Sequence, residues 1–211
     1  MATPLPKNKP SLDNLFDDFA HPNPNINHQA CLLMALHWPV ASINRLIANL
    51  SKKNIDIRRK SVKALGCFGD KALLPVYKVF LMNKDLTIRI SCLKVFVKIA
   101  AVEKYDSIPN CLNQVIDSSL KDDNPQIVLA LVSLLRQLGP QGLPKLIEIS
   151  RDGNILRAKA SVTAIGEIDD PSAENCLKEL LYDKSIDQLV REGADYALET
   201  YKSRVRTNNQ S

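Results

Sequence analysis

Few residues in this chain are of the types that most often do chemistry, and they are widely spaced. The three histidines are His21, His28 and His37, and the five cysteines are at positions 31, 67, 92, 111 and 176. Imidazoles and thiols bind metals, or act as base and nucleophile, when they cluster. No Cys-x-x-Cys pair occurs, and an odd cysteine count argues against a disulfide framework. The sequence therefore predicts reduced, mostly buried thiols, surface or capping histidines, and no metal site.

No motif joins a nucleophile to a base either. The turn Gly139-Pro140-Gln141-Gly142 lacks the Lys and Ser/Thr that complete a phosphate-binding loop. Catalytic side chains often meet only in the folded chain, so the sequence leaves catalytic and cofactor-binding residues unassigned. Whether the chain is an enzyme stays open at this point.

Arginine is the polar residue with the most regular spacing. It follows Ile, Leu or Val directly in corresponding positions of repeated segments, at Arg58, Arg89, Arg157 and Arg191. One interpretation of this arginine ladder pairs each guanidinium with an aspartate in the turn of a neighbouring repeat. The other is a cationic strip that binds carboxylates through paired hydrogen bonds.

The basic residues around the first ladder position give the candidate binding site. We predict that Arg58, Arg59, Lys63 and Arg89 bind a partner, with Trp38 as an aromatic neighbour. The alternatives are a solvated basic face and a tryptophan packed into its own turn. Residues 1–105 hold 16 Lys and Arg against 7 Asp and Glu, whereas residues 106–211 hold 12 against 16. Because the acidic second half would repel phosphates, we do not expect nucleic acid as the partner.

An internal repeat positions these residues. Each copy has a turn with Asp or Asn, an aliphatic anchor, usually Arg, and an apolar stripe at helical spacing. The six anchors are spaced by 31, 31, 39, 29 and 34 residues, at Ile26, Ile57, Ile88, Ile127, Leu156 and Val190. A second helical pattern lies between successive anchors, and a lone helix pair cannot bury its stripe. We therefore predict an all-α, right-handed α-solenoid of about six HEAT-like helix pairs.

The boundaries of this domain follow from composition. Residues 1–10 hold three prolines and are expected to be disordered, residues 11–202 to form the single repeat domain, and residues 203–211 to form a polar tail. The helix after Asn124 is nearly apolar all round, so we expect it to be covered on more than one face.

Aspartate, proline and glycine residues are expected at the helix ends. Aspartates are expected to cap the Arg-bearing helices, at Asp85, Asp123, Asp152 and Asp187. Prolines are expected at or near helix starts, at Pro39, Pro75, Pro109, Pro144 and Pro171. Left-handed glycine caps are expected at Gly66, Gly69, Gly139 and Gly166.

The overall composition limits where the chain works. Apolar residues make up 45% and charged residues 24%, as in ordinary soluble globular proteins. No apolar run approaches the about 20 residues that span a bilayer, and the N-terminus lacks the apolar stretch of a secretion signal. We expect a cytoplasmic protein without membrane insertion.

Several segments resemble a known family. They are Leu15-Phe16 with His21-Pro22-Asn23-Pro24-Asn25, the run from Arg58 to Gly66, the run from Asp123 to Val128, and the run from Leu189 to Ala194 with Ala197-Leu198. They are similar to the HEAT-like repeats of cyanobacterial phycobilisome (bilin) lyases of the CpcE/CpcF and CpeY/CpeZ type. The resemblance covers nearly the whole chain and is greatest to CpeZ-type members. The chain departs from the pattern at Val128, which replaces the ladder arginine, and at an insertion around Glu103 to Ser107.

The resemblance implies an accessory subunit or chaperone of a bilin lyase. Such a protein assists thioether formation between phycoerythrobilin and a cysteine of a phycoerythrin α or β subunit, beside a larger HEAT-like subunit of the CpeY type. The nucleophile then belongs to the acceptor, so the lyase needs no catalytic cysteine. Phycoerythrobilin is expected as a transient ligand, with its propionates on the basic residues, and no tightly bound cofactor is expected. The alternative is a non-enzymatic adaptor in another cytosolic or antenna-regulating complex.

Overall fold

Twelve α-helices make up most of the part of the chain that the computed structural model describes, residues 9–208. They are α1 (Leu12–Ala20), α2 (Pro24–His37), α3 (Pro39–Ala48), α4 (Ile55–Gly66), α5 (Asp70–Met82), α6 (Leu86–Ala100), α7 (Asn110–Leu120), α8 (Pro125–Gln137), α9 (Leu143–Ser150), α10 (Ile155–Ile165), α11 (Pro171–Tyr182) and α12 (Gln188–Asn208). Short 3-10 turns lie at Asn49–Ser51 and Gly139–Gln141.

The helices pair as the repeat predicts. Every anchor residue lies in an even-numbered helix, and each of these helices packs against the odd-numbered helix before it. Neighbouring even-numbered helices also pack together, α4 on α6, α8 on α10 and α10 on α12. The all-α fold of six HEAT-like helix pairs is therefore confirmed, while the right-handed sense of the stack stays a prediction.

The chain forms two compact units, residues 1–103 and 104–211. The first unit buries an aliphatic core with five phenylalanines, and the rings of two of them, Phe80 and Phe96, have centroids 6.3 Å apart at a steep angle. The second unit is centred on α8, which buries seven of its residues and contacts α7, α9 and α10. The expectation that this apolar helix is covered on more than one face is confirmed. The insertion predicted around residues 103–107 falls at the junction of the two units.

Asparagine, rather than aspartate, caps two of the predicted helix starts. Asp85 accepts from the Ile88 amide at the start of α6, as expected. At α8 and α10 the caps are Asn124 and Asn154. Asp152 instead accepts from the amide of Asn154, so it shapes the turn that presents the cap. The sequence signal marked the correct turns but not the capping residue, because Asp and Asn stand within two positions of each other there.

Three other expectations about helix ends are wrong. Pro75 lies inside α5, five residues after its start, because the helix begins at Asp70 behind Gly69. Gly69 and Gly139 do have positive φ, at 54° and 62°. Gly66 and Gly166 lack the left-handed conformation. The absence of a side chain at Gly166 instead lets α12 approach closely, because a Cβ on Gly166 would lie 2.7 Å from the carbonyl oxygen of Ala197.

The chain ends differ in part from the expected boundaries. Residues 1–8 and 209–211 lie outside the described residues, so the disorder expected for the first ten residues stays a prediction over residues 1–8. Lys9 and Pro10 both contact Trp38, and Ser11 caps α1. At the other end, α12 continues past residue 202 to residue 208, and Arg204 contacts the carbonyl of Gly166 at 3.4 Å. No helix among residues 9–208 is both long and apolar enough to cross a membrane.

Candidate thiol site and its basic face

Three of the five predicted binding residues are engaged within the chain. Arg58 donates from Nη1 to the carbonyl oxygens of Lys52 and Lys53, at 2.6 and 2.9 Å, and so closes its own turn. The Arg89 guanidinium carbon lies 5.1 Å from the centroid of the Phe80 ring. These contacts are those of residues that hold the repeat together.

Trp38 is held by the N-terminal segment. Its Nε1 donates to the carbonyl oxygen of Pro10 at 2.9 Å, and the Lys9 ammonium lies 3.6 Å from the ring centroid. The role of Trp38 as an aromatic neighbour of the basic residues stays a prediction. Its contacts agree with the alternative in which it packs within its own part of the chain.

The arginine ladder divides into different roles. Arg157 is only 9% exposed and pairs with Asp123 in the preceding turn at 3.4 Å and with Asp152 in its own turn at 3.5 Å. It also donates to the carbonyl oxygen of Leu120. The expected ladder contact between an arginine and a turn aspartate is thus present at Arg157. The turn before α2 offers His21 and Asn23 instead, and no carboxylate is available there for Arg58.

Arg59 and Lys63 are the two predicted residues that share an exposed face. They stand four residues apart on α4, so they project from the same side of the helix, and both are exposed. Lys98 of α6 adjoins this face, because the missing Cβ of Gly66 leaves room for the Lys98 side chain. We call Arg59, Lys63 and Lys98 the basic face.

A thiol cluster lies at the end of the basic face. Cys67, four residues beyond Lys63, is half-buried and follows α4 directly. The buried Cys31 of α2 and His28, one turn before Cys31, both lie near enough to Cys67 to influence the pKa of its thiol. Two helices that are adjacent in the repeat order therefore supply two thiols, an imidazole and an ammonium to one site.

The surroundings polarise this thiol pair. Interaction with the Cys31 side chain is the main cause that lowers the pKa of Cys67 to about 6; burial opposes this shift, and His28 and Lys63 assist it. The same interaction, together with burial, raises the pKa of Cys31 well above its ordinary value. The lowered pKa favours the thiolate form of Cys67. Thiolates are the nucleophilic and oxidisable form of cysteine.

The other cysteines offer a contrast. Burial raises the pKa of Cys92 to about 12 and also raises the pKa of Cys176. All five cysteines are reduced, and Cys31, Cys92 and Cys176 are buried, as the sequence predicts. Within residues 9–208, no three His, Cys, Asp or Glu side chains are placed to hold a metal ion.

Sequence reasoning missed the cluster because its members are far apart along the chain. Cys31 and Cys67 are 36 positions apart. The available signal was local: His28 and Cys31 are spaced i, i+3 on one helix, and Lys63 and Cys67 are spaced i, i+4 on the next helix of the same type.

An apolar stripe continues from the thiol cluster along α2. His28, Leu32 and Leu36 follow one another at four-residue spacing, and the two leucine side chains are 39% and 57% exposed. His28, at one end of the stripe, lies near enough to Cys67 to influence its pKa, and Cys67 directly follows α4, the helix that carries Arg59 and Lys63. The surface thus offers cations at one end and exposed aliphatic side chains at the other, which suits a ligand with an apolar body and carboxylate substituents.

The second unit contains a cleft of a different character. It encloses about 280 Å³ between the turn at residues 150–153 and the segment at residues 183–190. Its lining includes Asp152, Asp183 and Asp187 with Arg151, and Arg151 lies 3.9 Å from Asp183. This carboxylate-rich lining does not suit an anionic ligand.

Comparison with known proteins adds two relatives. No protein-family model matches the chain. The chain is 28% identical over 189 residues to the uncharacterized phycocyanin operon protein Z of Pseudanabaena tenuis (strain PCC 7409), covering 89% of this chain and 94% of the relative. It is 27% identical over 169 residues to the bilin biosynthesis protein CpeZ of Synechococcus sp. (strain WH8020), covering 77% of this chain and 91% of the relative.

Solved structures of repeat proteins are also similar. A designed armadillo repeat protein matches 90% of this chain and its own full length with a TM-score of 0.43 at 15% identity. A HEAT-like repeat protein from the archaeon Thermococcus onnurineus matches 91% of this chain and 87% of its own with a TM-score of 0.41 at 13% identity. This chain is thus similar to CpeZ over 77% of its length and to the phycocyanin operon protein Z over 89%, and the family resemblance that the sequence predicts is confirmed.

Proposed function

We propose that this chain is an accessory subunit or chaperone of a bilin lyase. It assists the covalent thioether attachment of phycoerythrobilin to a cysteine of a phycoerythrin α or β subunit. The similarity to CpeZ, which spans 91% of that bilin biosynthesis protein, is the observation that carries the proposal. The chemistry of attachment needs a nucleophile that the acceptor supplies, so the chain contributes by binding and positioning.

The basic face and the apolar stripe support contact with the bilin. An open-chain tetrapyrrole has an extended apolar body and two propionates. Arg59 and Lys63 offer donors for the propionates, and Leu32 and Leu36 offer exposed apolar area for the pyrrole rings. Transient binding fits an open surface of this kind better than an enclosed pocket.

Exposed aliphatic residues in repeated positions support contact with protein partners. In the first unit they lie in the first turns of α4 and α6, at Ile55 and Leu86. In the second unit they lie in the first turns of α10 and α12, at Ile155, Leu156 and Leu189. Exposed apolar patches of this type serve protein–protein contacts. The partners that we propose are the phycoerythrin subunit and a larger HEAT-like lyase subunit of the CpeY type.

A matched pair of variants tests the role of the basic face. We expect Arg59→Glu combined with Lys63→Glu to weaken phycoerythrobilin binding about tenfold, which corresponds to about 1.4 kcal/mol. The control is Lys71→Glu combined with Lys78→Glu on exposed positions of α5, which makes the same charge change and should leave affinity within about twofold. The measurement is titration of the bilin absorbance band, with far-UV circular dichroism to check helicity. Equal losses in both variants would assign the effect to net charge alone.

Co-purification tests the proposed partners. The tagged chain is expressed with phycoerythrin α, phycoerythrin β or the larger lyase subunit, each alone, and we expect retention of the lyase subunit and of at least one acceptor. Retention of neither would contradict the accessory role and favour the adaptor of another complex, because the same repeated apolar positions could serve that adaptor. A tagged, unrelated repeat protein gives the background.

A further inference from the structure

One exposed side of α5 combines apolar and basic side chains that the repeat itself does not need. Leu74 is 57% exposed and Leu81 is 53% exposed. Lys71 and Lys78 are also exposed and alternate with the two leucines along the same side of the helix. We call Lys71, Leu74, Lys78 and Leu81 the lysine stripe. In α7, the odd-numbered helix of the next pair, every exposed residue is polar, so the stacking of the pairs does not require exposed leucines.

A stripe with the same spacing and the opposite charge lies on α12. It consists of Leu189, Glu192, Tyr196 and Glu199, and we call it the glutamate stripe. Its two apolar members are well exposed, Leu189 by 47% and Tyr196 by 76%. Successive members of both stripes are 3, 4 and 3 residues apart. This spacing places side chains along one seam of a helix, as at the a and d positions of a coiled coil.

The two stripes are complementary when their helices run antiparallel. The facing pairs are then Lys71 with Glu199, Leu74 with Tyr196, Lys78 with Glu192, and Leu81 with Leu189. Each charge meets an opposite charge, and each apolar side chain meets another. In a parallel arrangement every pair would set a charge against an apolar side chain, which is unfavourable. We propose that the lysine stripe of one copy of this chain binds the glutamate stripe of a second copy.

The charge distribution of the chain favours a second copy as the occupant. Lys and Arg exceed Asp and Glu in residues 1–105, which contain the lysine stripe, and Asp and Glu exceed Lys and Arg in residues 106–211, which contain the glutamate stripe. The opposite halves of two copies therefore attract each other. Both stripes are exposed in the single chain, so each is accessible to another copy.

The contacts already made by the stripes do not block this pairing. Within residues 9–208, no carboxylate forms an ion pair with either lysine of the lysine stripe. Glu199 pairs with Lys202 at 2.9 Å, and Glu192 accepts a hydrogen bond from the Gln188 amide at 2.8 Å. Surface contacts of this kind contribute little, and a carboxylate accepts several hydrogen bonds. Both glutamates can therefore also accept from a lysine of another copy.

The size of the contact predicts a weak association. Each stripe covers about 15 Å of helix, and such a contact buries less than the about 1,200 Å² of a stable complex. We expect a Kd of about 50 μM at low salt, weakened about fivefold in about 0.5 M salt because salt screens exposed ion pairs. The two stripes differ, so each copy keeps a second stripe that can bind a further copy. This inference does not depend on bilin binding.

Sedimentation equilibrium of the purified full-length chain tests the proposal. We expect the average mass to rise above that of the monomer as the concentration increases. Two variants each reverse one stripe, Lys71→Glu with Lys78→Glu, and Glu192→Lys with Glu199→Lys. Each variant alone should stay monomeric over the same range, because its two stripes then carry the same charge. The matched control, Arg59→Glu with Lys63→Glu, makes the same charge change on α4 and should keep the Kd within about threefold.

Two rescue experiments separate this pairing from a loss of fold. Mixing the two stripe variants should restore association, because the reversed stripe of each then faces a stripe of opposite charge on the other. A chain with all four substitutions has the parent net charge and should associate with itself. Circular dichroism spectra that match the parent chain establish that each variant folds.

Three results would overturn the proposal. The first is a chain that stays monomeric at about 1 mM, far above the expected Kd. The second is association that neither stripe variant weakens, or that neither rescue restores. The third is a monomeric chain whose lysine-stripe variant no longer retains the larger lyase subunit, which would assign that stripe to the other protein.

Discussion

Replacement of Arg157 tests how the repeats are held together in the second unit. Its guanidinium donates to the carbonyl oxygen of Leu120 and lies 3.4 and 3.5 Å from Asp123 and Asp152. The Asp123 side chain is 91% exposed and regains water when the arginine is lost, so that ion pair adds little. The bond from a buried guanidinium to a carbonyl accounts for about 2 kcal/mol. Methionine preserves the length and the apolar stem of the side chain, so Arg157→Met isolates this polar contribution.

The assay is urea unfolding followed by far-UV circular dichroism. For an unfolding slope of about 2 kcal/mol per molar urea, a loss of about 2 kcal/mol lowers the midpoint by about 1 M. The matched control is Arg191→Met, the corresponding substitution at a ladder position that is more exposed, and it should lower the midpoint by no more than about 0.3 M. Equal shifts in the two variants would refute the reasoning, because they would show that the ladder position matters and the contacts of Arg157 do not.

Two further predictions concern close packing and pH. Gly166→Ala should destabilise the chain by about 1–3 kcal/mol, because the new Cβ would lie 2.7 Å from the Ala197 carbonyl oxygen. The control Gly153→Ala should be neutral or slightly stabilising, because its new Cβ meets no atom within 4 Å. Thermal unfolding of both variants checks this prediction. The pKa of Cys67 is about 6 in the folded chain and about 8.5 in the unfolded chain. The stability that this difference contributes is fully present above pH 8.5 and is lost as the pH falls through about 6. The urea midpoint should therefore rise from pH 6 to pH 8.5. Above pH 8.5 the raised pKa of Cys31 reverses the trend, since the native pair keeps a proton that the unfolded chain releases. A Cys67→Ser variant should lack the rise, and an unchanged rise in that variant would contradict the assignment.

The repeat made the fold predictable. The anchors recur in every unit with an aliphatic stripe at helical spacing, and each anchor lies in the expected helix of its pair. The details that failed depend on tertiary contacts. Pro75 marks no helix start, because the helix begins five residues earlier, at Asp70 directly after Gly69. Gly166 serves close helix approach instead of a left-handed cap.

The candidate site was predictable only in part. Arg59 and Lys63 are exposed on α4 and share a face, as a four-residue spacing requires. Arg58 follows the same sequence pattern, yet it bonds to its own turn, since the carbonyls of Lys52 and Lys53 lie within reach. Cys67 gave no sequence signal by itself, because its properties come from Cys31 and His28 in the preceding repeat.

Reconstitution of bilin attachment tests the central proposal most directly. A host that makes phycoerythrobilin carries a phycoerythrin subunit and the larger lyase subunit, with or without this chain, and covalent bilin on the acceptor is measured by zinc-enhanced fluorescence after a denaturing gel. We predict more covalent bilin, or more soluble acceptor, when the chain is present. Equal attachment and equal solubility with and without the chain, for both the α and the β subunits, would contradict the proposed function.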